Sequence, residues 1–140
     1  MKMSSKVNFL LVDDYPSVRT MVKTQLKKIG FKGPFHEAND VEEAIKILDK
    51  GADMDQPIEF VITDWLMPGK TGLDLVNHIR SSTSYGSVPI LVLTTQNERA
   101  TVIDTISAGA TNYLLKPWSL DDMSEKLAKC WAVHQDQTND

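Results

Sequence analysis

Acidic residues stand directly after two apolar segments of the chain. "VNFLLV" at 7–12 precedes Asp13 and Asp14, and "FVIT" at 60–63 precedes Asp64. Short runs of apolar and β-branched residues predict buried strands. A carboxylate at the end of such a strand loses part of its hydration, which is costly unless a cation or hydrogen bonds compensate it. The placement therefore indicates a chemical role for Asp64.

Two further apolar runs end on residues that suit phosphate chemistry. "VPILVLTT" at 88–95 ends on Thr94 and Thr95, and "TNYLLK" at 111–116 ends on Lys116. Carboxylates brought together repel one another unless a cation lies among them, and hard oxygen ligands suit Mg²⁺. A lysine and a hydroxyl beside them suit a phosphoryl group. The set predicts that Asp64 is a nucleophile, with the metal and Lys116 offsetting charge on the transferred phosphoryl group. The alternative is that these are polar residues at a solvated rim.

The spacing of apolar residues predicts β-α units that would bring these strand ends together. A weaker strand candidate, "PFHEA", completes a set of five, and apolar residues at helical spacing follow every strand. Alternating strands and helices, with nearly continuous apolar strands, are typical of an α/β protein whose parallel sheet is covered on both faces. Right-handed crossovers place the carboxyl ends of all the strands at one edge, where ligands bind.

Finer predictions concern one helix end, one helix face and the tail. The second helix is expected to stop at Gly51. The fourth helix is expected to use one apolar face, formed by Val102, Ile103 and Ile106. The chain is expected to be a single domain, 1–140, with a core of about residues 6–133 and a frayed polar tail at 134–140.

Composition excludes several classes of protein. A chain of 140 residues can bury a sizeable core. The net charge of −4 disfavours nucleic acid and anionic membranes as partners. The single cysteine, Cys130, excludes an internal disulfide and suits a reducing compartment. No apolar run approaches the roughly 20 residues of a membrane span. We expect a cytoplasmic monomer with no membrane insertion.

Four strings around these residues resemble the response-regulator receiver family. They are "LLVDDYPSVR", "VITDWLMPGKTGLDL", "LVLTTQ" and "GATNYLLKPW". The resemblance extends over about residues 6–133 and is greatest to the single-domain chemotaxis regulators of that family. It implies a flavodoxin-like (βα)5 three-layer sandwich whose five-stranded parallel sheet has the order 2-1-3-4-5.

The resemblance also implies a phosphorylation switch. Asp64 would accept phosphate from a histidine kinase, and Thr94 and Lys116 would contact the phosphoryl group. Tyr113 would be the switch aromatic, which turns inward when Thr94 moves toward the phosphate. The partner face implied in this way consists of Arg99, Val102, Tyr113 and Lys126.

The implied magnesium site has three protein ligands. Asp14 and Asp64 would bind Mg²⁺ by side chain and Leu66 by its backbone carbonyl, while Asp13 would act through water. Leu66 and Gln96 would flank the path of the water that attacks the phosphorylated aspartate, so they are expected to influence self-dephosphorylation.

The leading function is therefore a two-component signalling switch, with the flagellar motor switch as output partner and an auxiliary phosphatase as a further partner. Its only catalysis would be its own aspartyl phosphorylation and dephosphorylation. One alternative is a phosphorelay intermediate or phosphate sink. An alternative of a different class is a metal-dependent phosphatase with an aspartate nucleophile, but its pattern needs a second aspartate where Leu66 stands. A phosphorylation-independent binding module would have no use for the acidic, threonine and lysine set.

Overall fold

Strands and helices alternate along the whole described chain, in a computed structural model that describes residues 3–67, 69–95 and 99–138. The strands are β1 (Phe9–Val12), β2 (Phe35–Ala38), β3 (Phe60–Asp64), β4 (Ile90–Thr94) and β5 (Asn112–Leu115). The helices are α1 (Pro16–Ile29), α2 (Val41–Asp53), α3 (Gly72–Arg80), α4 (Arg99–Ala108) and α5 (Leu120–Thr138).

The strands form one parallel sheet in the order β2-β1-β3-β4-β5, which confirms the expected α/β class and strand order. The register pairs Asp64 with Leu93, and Thr94 with Leu115. The last residues of β3 and β4 and the residue after β5 therefore reach the same edge of the sheet.

Both faces of the sheet are covered, which explains why the inner strands β1, β3 and β4 are almost continuously apolar. Successive side chains of a strand point to opposite faces. In β1, Leu10 and Val12 join a cluster that includes residues of α2 and α3, whereas Phe9 and Leu11 join a cluster that includes residues of α1 and α5. The result is the expected three-layer sandwich, with the sheet between two layers of helices. Cys130 is one of the buried residues of α5.

The prediction that the second helix stops at Gly51 is wrong, because α2 continues to Asp53. The chain then turns back, and the amide of Gln56 donates to the carbonyl of Gly51 at 2.8 Å. A Cβ on residue 51 would lie 2.7 Å from the carbonyl oxygen of Gln56. Glycine is therefore required here by a close approach of the backbone and not by a helix end.

The predicted apolar face of the fourth helix is also wrong in part. Val102 and Thr105 are buried in α4, but Ile103 is 67% exposed and Ile106 is 39% exposed. The buried pair and the exposed pair have the same three-residue spacing. Periodicity alone therefore does not determine which row of a short helix faces the sheet.

The last helix continues into the segment that was expected to form a polar tail. Helix α5 extends through Thr138, so most of the expected tail is helical. The ring of His134 lies 5.2 Å from that of Trp131, and its Nδ1 is 3.1 Å from the carbonyl oxygen of Ser87. The contact with Ser87 joins the end of α5 to the segment before β4, whereas the contact with Trp131 lies within α5. None of the helices in the described ranges has the length and apolar character needed to cross a membrane.

We expect Gly51→Ala to lower the free energy of unfolding, although glycine-to-alanine changes inside helices usually raise it. The usual gain of about 0.5–1 kcal/mol comes from reduced backbone freedom. Here the added methyl group would displace the carbonyl of Gln56, so a net loss of about 1 kcal/mol is expected. Urea denaturation measures this change. The exposed position Lys46 of the same helix provides a control, because Lys46→Ala should change the midpoint little. A more stable Gly51→Ala protein would contradict the close-approach explanation.

Candidate functional site

The carboxyl edge of the sheet carries a cleft of about 420 Å³ where most of the predicted site residues meet. Its lining includes Asp14, Asp64, Leu66, Thr94 and Lys116, which come from the ends of the four strands β1, β3, β4 and β5 or from the loops that follow them. The parallel sheet thus brings together residues that are up to about one hundred positions apart in the chain.

Asp64 is the last residue of β3 and is 5% exposed. Its Oδ1 accepts hydrogen bonds from Lys116 Nζ at 2.7 Å and from the amide of Trp65 at 2.9 Å. Burial raises the pKa of Asp64, and the hydrogen bond and charge of Lys116 only partly oppose that rise. The ammonium group of Lys116 therefore compensates a carboxylate that the fold has removed from water.

Asp13 and Asp14 stand after β1 and crowd the same region. Ligand atoms from Asp13, Asp14 and Asp64 all lie within 4.8 Å of one another. Burial raises the pKa of Asp13, and repulsion from Asp64 and Asp14 adds to the rise, while the amide of Tyr15 and the charge of Lys116 oppose it. The arrangement is electrostatically unfavourable in the absence of a cation.

The donor set fits a hard divalent cation such as Mg²⁺. Asp13 Oδ2 and Asp14 Oδ1 are buried and make no hydrogen bond in the described part of the chain. Buried carboxylate oxygens without partners are costly, and a bound cation would satisfy them. Leu66 lines the same cleft as Asp14 and is 59% exposed. The role of its backbone carbonyl as a ligand stays a prediction.

Thr94 and Lys116 both line the cleft, and their backbones are joined by a hydrogen bond. Thr94 is buried at the end of β4, and its carbonyl accepts the amide of Lys116 at 2.6 Å. A displacement of the end of β4 would therefore also displace the end of β5 through this hydrogen bond. Their contacts with a phosphoryl group stay predictions.

The predicted partner face is only partly at the surface. Tyr113 is half-buried in β5, and Lys126 Nζ lies 4.8 Å above the centre of its ring while donating to Asn112 Oδ1 at 3.2 Å. Val102, in contrast, is only 8% exposed, so its side chain contributes little to that surface. The side chain of Arg99 and the whole of Gln96 lie outside the described residues.

One residue beside the acidic cluster was not predicted from the sequence. Arg19 is buried in α1, and its guanidinium group donates to the backbone carbonyl of Asp13. It occupies the same helix face as the core residues Val22 and Leu26. The sequence feature that could have identified it is its helical spacing from apolar core residues, which places an arginine on the buried face of α1. A buried charge requires specific partners.

Comparison with known proteins agrees with this geometry. Residues 9–128 match the response regulator receiver domain family. The chain is 36% identical to chemotaxis protein CheY-3 of Vibrio cholerae over 127 residues, covering 91% of this chain and 93% of that protein. It is 37% identical to chemotaxis protein CheY1 of Helicobacter pylori over 121 residues, covering 86% and 94%.

The fold is similar to a high-resolution structure of the chemotaxis response regulator CheY4 of Vibrio cholerae, with a TM-score of 0.76 and 30% identity over 89% of this chain and 98% of that one. The family match covers more than half of the chain, and the relatives are matched over nearly their full length. The chain therefore belongs to the response regulator receiver domain family of two-component signalling, and its relatives named here are CheY-type chemotaxis proteins.

Proposed function

We propose that this chain is a phosphorylation-activated switch that accepts a phosphoryl group on Asp64 from a histidine kinase and acts, in the cytoplasm, on the flagellar motor switch. The observation that carries the proposal is the contact of Asp64 with Lys116 at 2.7 Å beside two further buried or partly buried carboxylates. Nearly full-length similarity to chemotaxis proteins supports the motor as the output.

In the proposed reaction, a carboxylate oxygen of Asp64 attacks the phosphorus of a phosphohistidine. The new P–O bond forms as the P–N bond breaks, and the imidazole leaves with the electron pair of that bond. Mg²⁺ held by the side chains of Asp14 and Asp64 and the backbone carbonyl of Leu66, with Asp13 acting through water, would supply positive charge next to the phosphoryl oxygens. Lys116 lies 2.7 Å from the acceptor before reaction and would donate to the phosphoryl group afterwards.

Phosphorylation would change the contacts of the two neighbouring strand ends. Lys116 would exchange a carboxylate partner for a phosphoryl group, and the hydroxyl of Thr94 would turn toward the same group. Because the backbones of Lys116 and Thr94 are hydrogen bonded, the change would reach β5 and Tyr113. A local change of charge would thus bias a two-state surface element. The only catalysis in this proposal is the chain's own phosphorylation and dephosphorylation.

Loading the site with Mg²⁺ and beryllofluoride should tighten binding of a flagellar motor-switch peptide about tenfold, a typical coupling between two sites. Trp65 is buried directly after Asp64, so its fluorescence should report loading, with Trp118 and Trp131 as background. Asp64→Asn should abolish both responses.

The exposed Asp104 of α4 offers a matched control, and Asp104→Asn should keep the Trp65 response. Peptide binding that stays unchanged while Trp65 responds would replace the motor output with a phosphorelay or phosphate-sink role. An unchanged response in Asp64→Asn would show that the acceptor site is wrongly assigned.

Leu66→Asn should shorten the lifetime of the phosphorylated state severalfold. Leu66 lines the cleft two positions after the acceptor, and an isobutyl group cannot orient an attacking water, whereas an amide can. Release of phosphate after removal of the donor measures the rate. Leu120, an exposed leucine at the start of α5, provides the control, and Leu120→Asn should leave the rate unchanged. Equal lifetimes for all three proteins would remove Leu66 from the control of hydrolysis.

Asp13→Asn should stabilise the metal-free protein by about 1 kcal/mol, within the range common for relief of functional strain. The folded-state pKa of Asp13 is raised, so its charged form lowers stability at every pH above that pKa. Saturating Mg²⁺ should raise the unfolding midpoint of the wild-type protein more than that of the variant. Urea denaturation with and without chelator measures both effects. Asp104→Asn serves again as the control, and a metal-free Asp13→Asn protein less stable than wild type would refute the repulsion.

A further inference from the structure

A buried arginine connects the acidic loop to three parts of the fold. Arg19 is 9% exposed, and its guanidinium donates to the backbone carbonyl of Asp13, to Asn39 Oδ1 at 2.8 Å and to Glu37 Oε1 at 3.1 Å. A guanidinium presents five donors in one fixed plane. A single side chain of α1 thereby holds the end of β1, strand β2 and the loop after β2.

These contacts fix the peptide unit between Asp13 and Asp14. The amide of Asp13 donates to the carbonyl of Ala38 at 3.1 Å, and its own carbonyl accepts from Arg19. The side-chain Oδ1 of Asp13 accepts the amide of Tyr15 at 2.9 Å. The carbonyl that Arg19 holds belongs to the same peptide plane as the nitrogen of Asp14, so both acidic residues are oriented by one interaction.

The charge of Arg19 is balanced by Glu37, away from the carboxylates of the cleft. Lys23 shares that partner and lies 3.0 Å from Glu37 Oε2. Hydrogen bonds from Lys23 and then Arg19 hold the pKa of Glu37 below its ordinary value. Glu37 is therefore ionised at neutral pH and pairs with the charge of Arg19. The contact of Arg19 with Asp13 is made through the backbone carbonyl of Asp13.

We propose that Arg19 is a positioning residue for the magnesium site. Repulsion among the three carboxylates would drive the loop of Asp13 and Asp14 away from Asp64 before a cation arrives. Arg19 opposes that displacement and keeps the ligands in place, which lowers the cost of ordering them when the metal binds. This role rests on the proposed function only in requiring that the cluster binds Mg²⁺.

Arg19→Lys tests the role with a conservative change. Lysine keeps the positive charge and can still pair with Glu37, but it lacks the planar fork that reaches all three acceptors. Calorimetric titration should show an affinity for Mg²⁺ about tenfold weaker than that of the wild-type protein, as is typical when a partner outside the metal ligands is lost. Phosphorylation by a small acyl phosphate should be slow at low Mg²⁺ and return close to the wild-type rate at saturating Mg²⁺.

That recovery separates positioning from a purely structural role. A residue that only stabilises the fold would lower the unfolding midpoint but leave the dissociation constant of the folded protein unchanged. Lys23→Gln provides the matched control, because Lys23 contacts Glu37 but not Asp13, and it should leave Mg²⁺ affinity unchanged. Asn39→Ala removes one acceptor of Arg19 from an exposed position and should weaken Mg²⁺ binding by a smaller factor.

The outcomes distinguish this role from the proposed function. Wild-type protein that neither binds Mg²⁺ nor becomes phosphorylated would overturn both. Wild-type protein that does both, with Mg²⁺ affinity unchanged in Arg19→Lys, would overturn the positioning role alone. If Arg19→Lys fails to fold, an unchanged affinity in Asn39→Ala decides against the role and a weakened one supports it.

Discussion

Repulsion among closely spaced carboxylates is the constraint around which this domain is organised. Ligand atoms of Asp13, Asp14 and Asp64 lie within 4.8 Å of one another in a region where burial already disfavours their charged forms. A fold maintains such a cluster only if stabilisation elsewhere exceeds its cost. The sheet supplies that stabilisation, because its inner strands β1, β3 and β4 are buried on both faces and the three clustered acids stand at or just after strand ends. The same negative charge density that lowers stability suits a divalent cation, whereas a phosphoryl group would be attracted by that cation and by Lys116.

The sheet also couples the contacts made at one strand end to those made at the neighbouring strand ends. Asp64 and Lys116 approach the cleft from different strands, and the 2.7 Å contact between them crosses β4, the strand that ends in Thr94. Packed strands do not deform independently, so exchange of one ligand at the edge must be accommodated by the adjoining loops and side chains. Tyr113, the residue that responds in the proposed switch, lies three residues before Lys116 on β5, half-buried and in contact with Lys126.

Local patterns in the sequence were sufficient for most of the strands and for the cleft. The apolar runs located the strands, and the residues that follow them converge as strand ends of a parallel sheet must. The strand order came from the family resemblance and is confirmed by the structure. Gly51 was misinterpreted because a helix stop is a local rule, whereas the approach of Gln56 is a tertiary contact. The role of Arg19 does not follow from local patterns, because its partners belong to the end of β1, to β2 and to the loop after β2.

The error on α4 has a physical cause that bears on function. Val102 and Thr105 face inward, and the isoleucines Ile103 and Ile106 remain at the surface, although burial of both would have been favourable by about 25 cal/mol per Å² of apolar area. A helix whose more apolar row faces outward is poorly explained by packing within one chain. It is explained if a partner covers that row in one state of the domain. Burial of Ile103 and Ile106 would then add to the free energy of binding instead of the free energy of folding. The exposed isoleucines thus lie on the helix that contacts β5, the strand that carries Tyr113, and this is the side of the domain that the proposed function assigns to a partner.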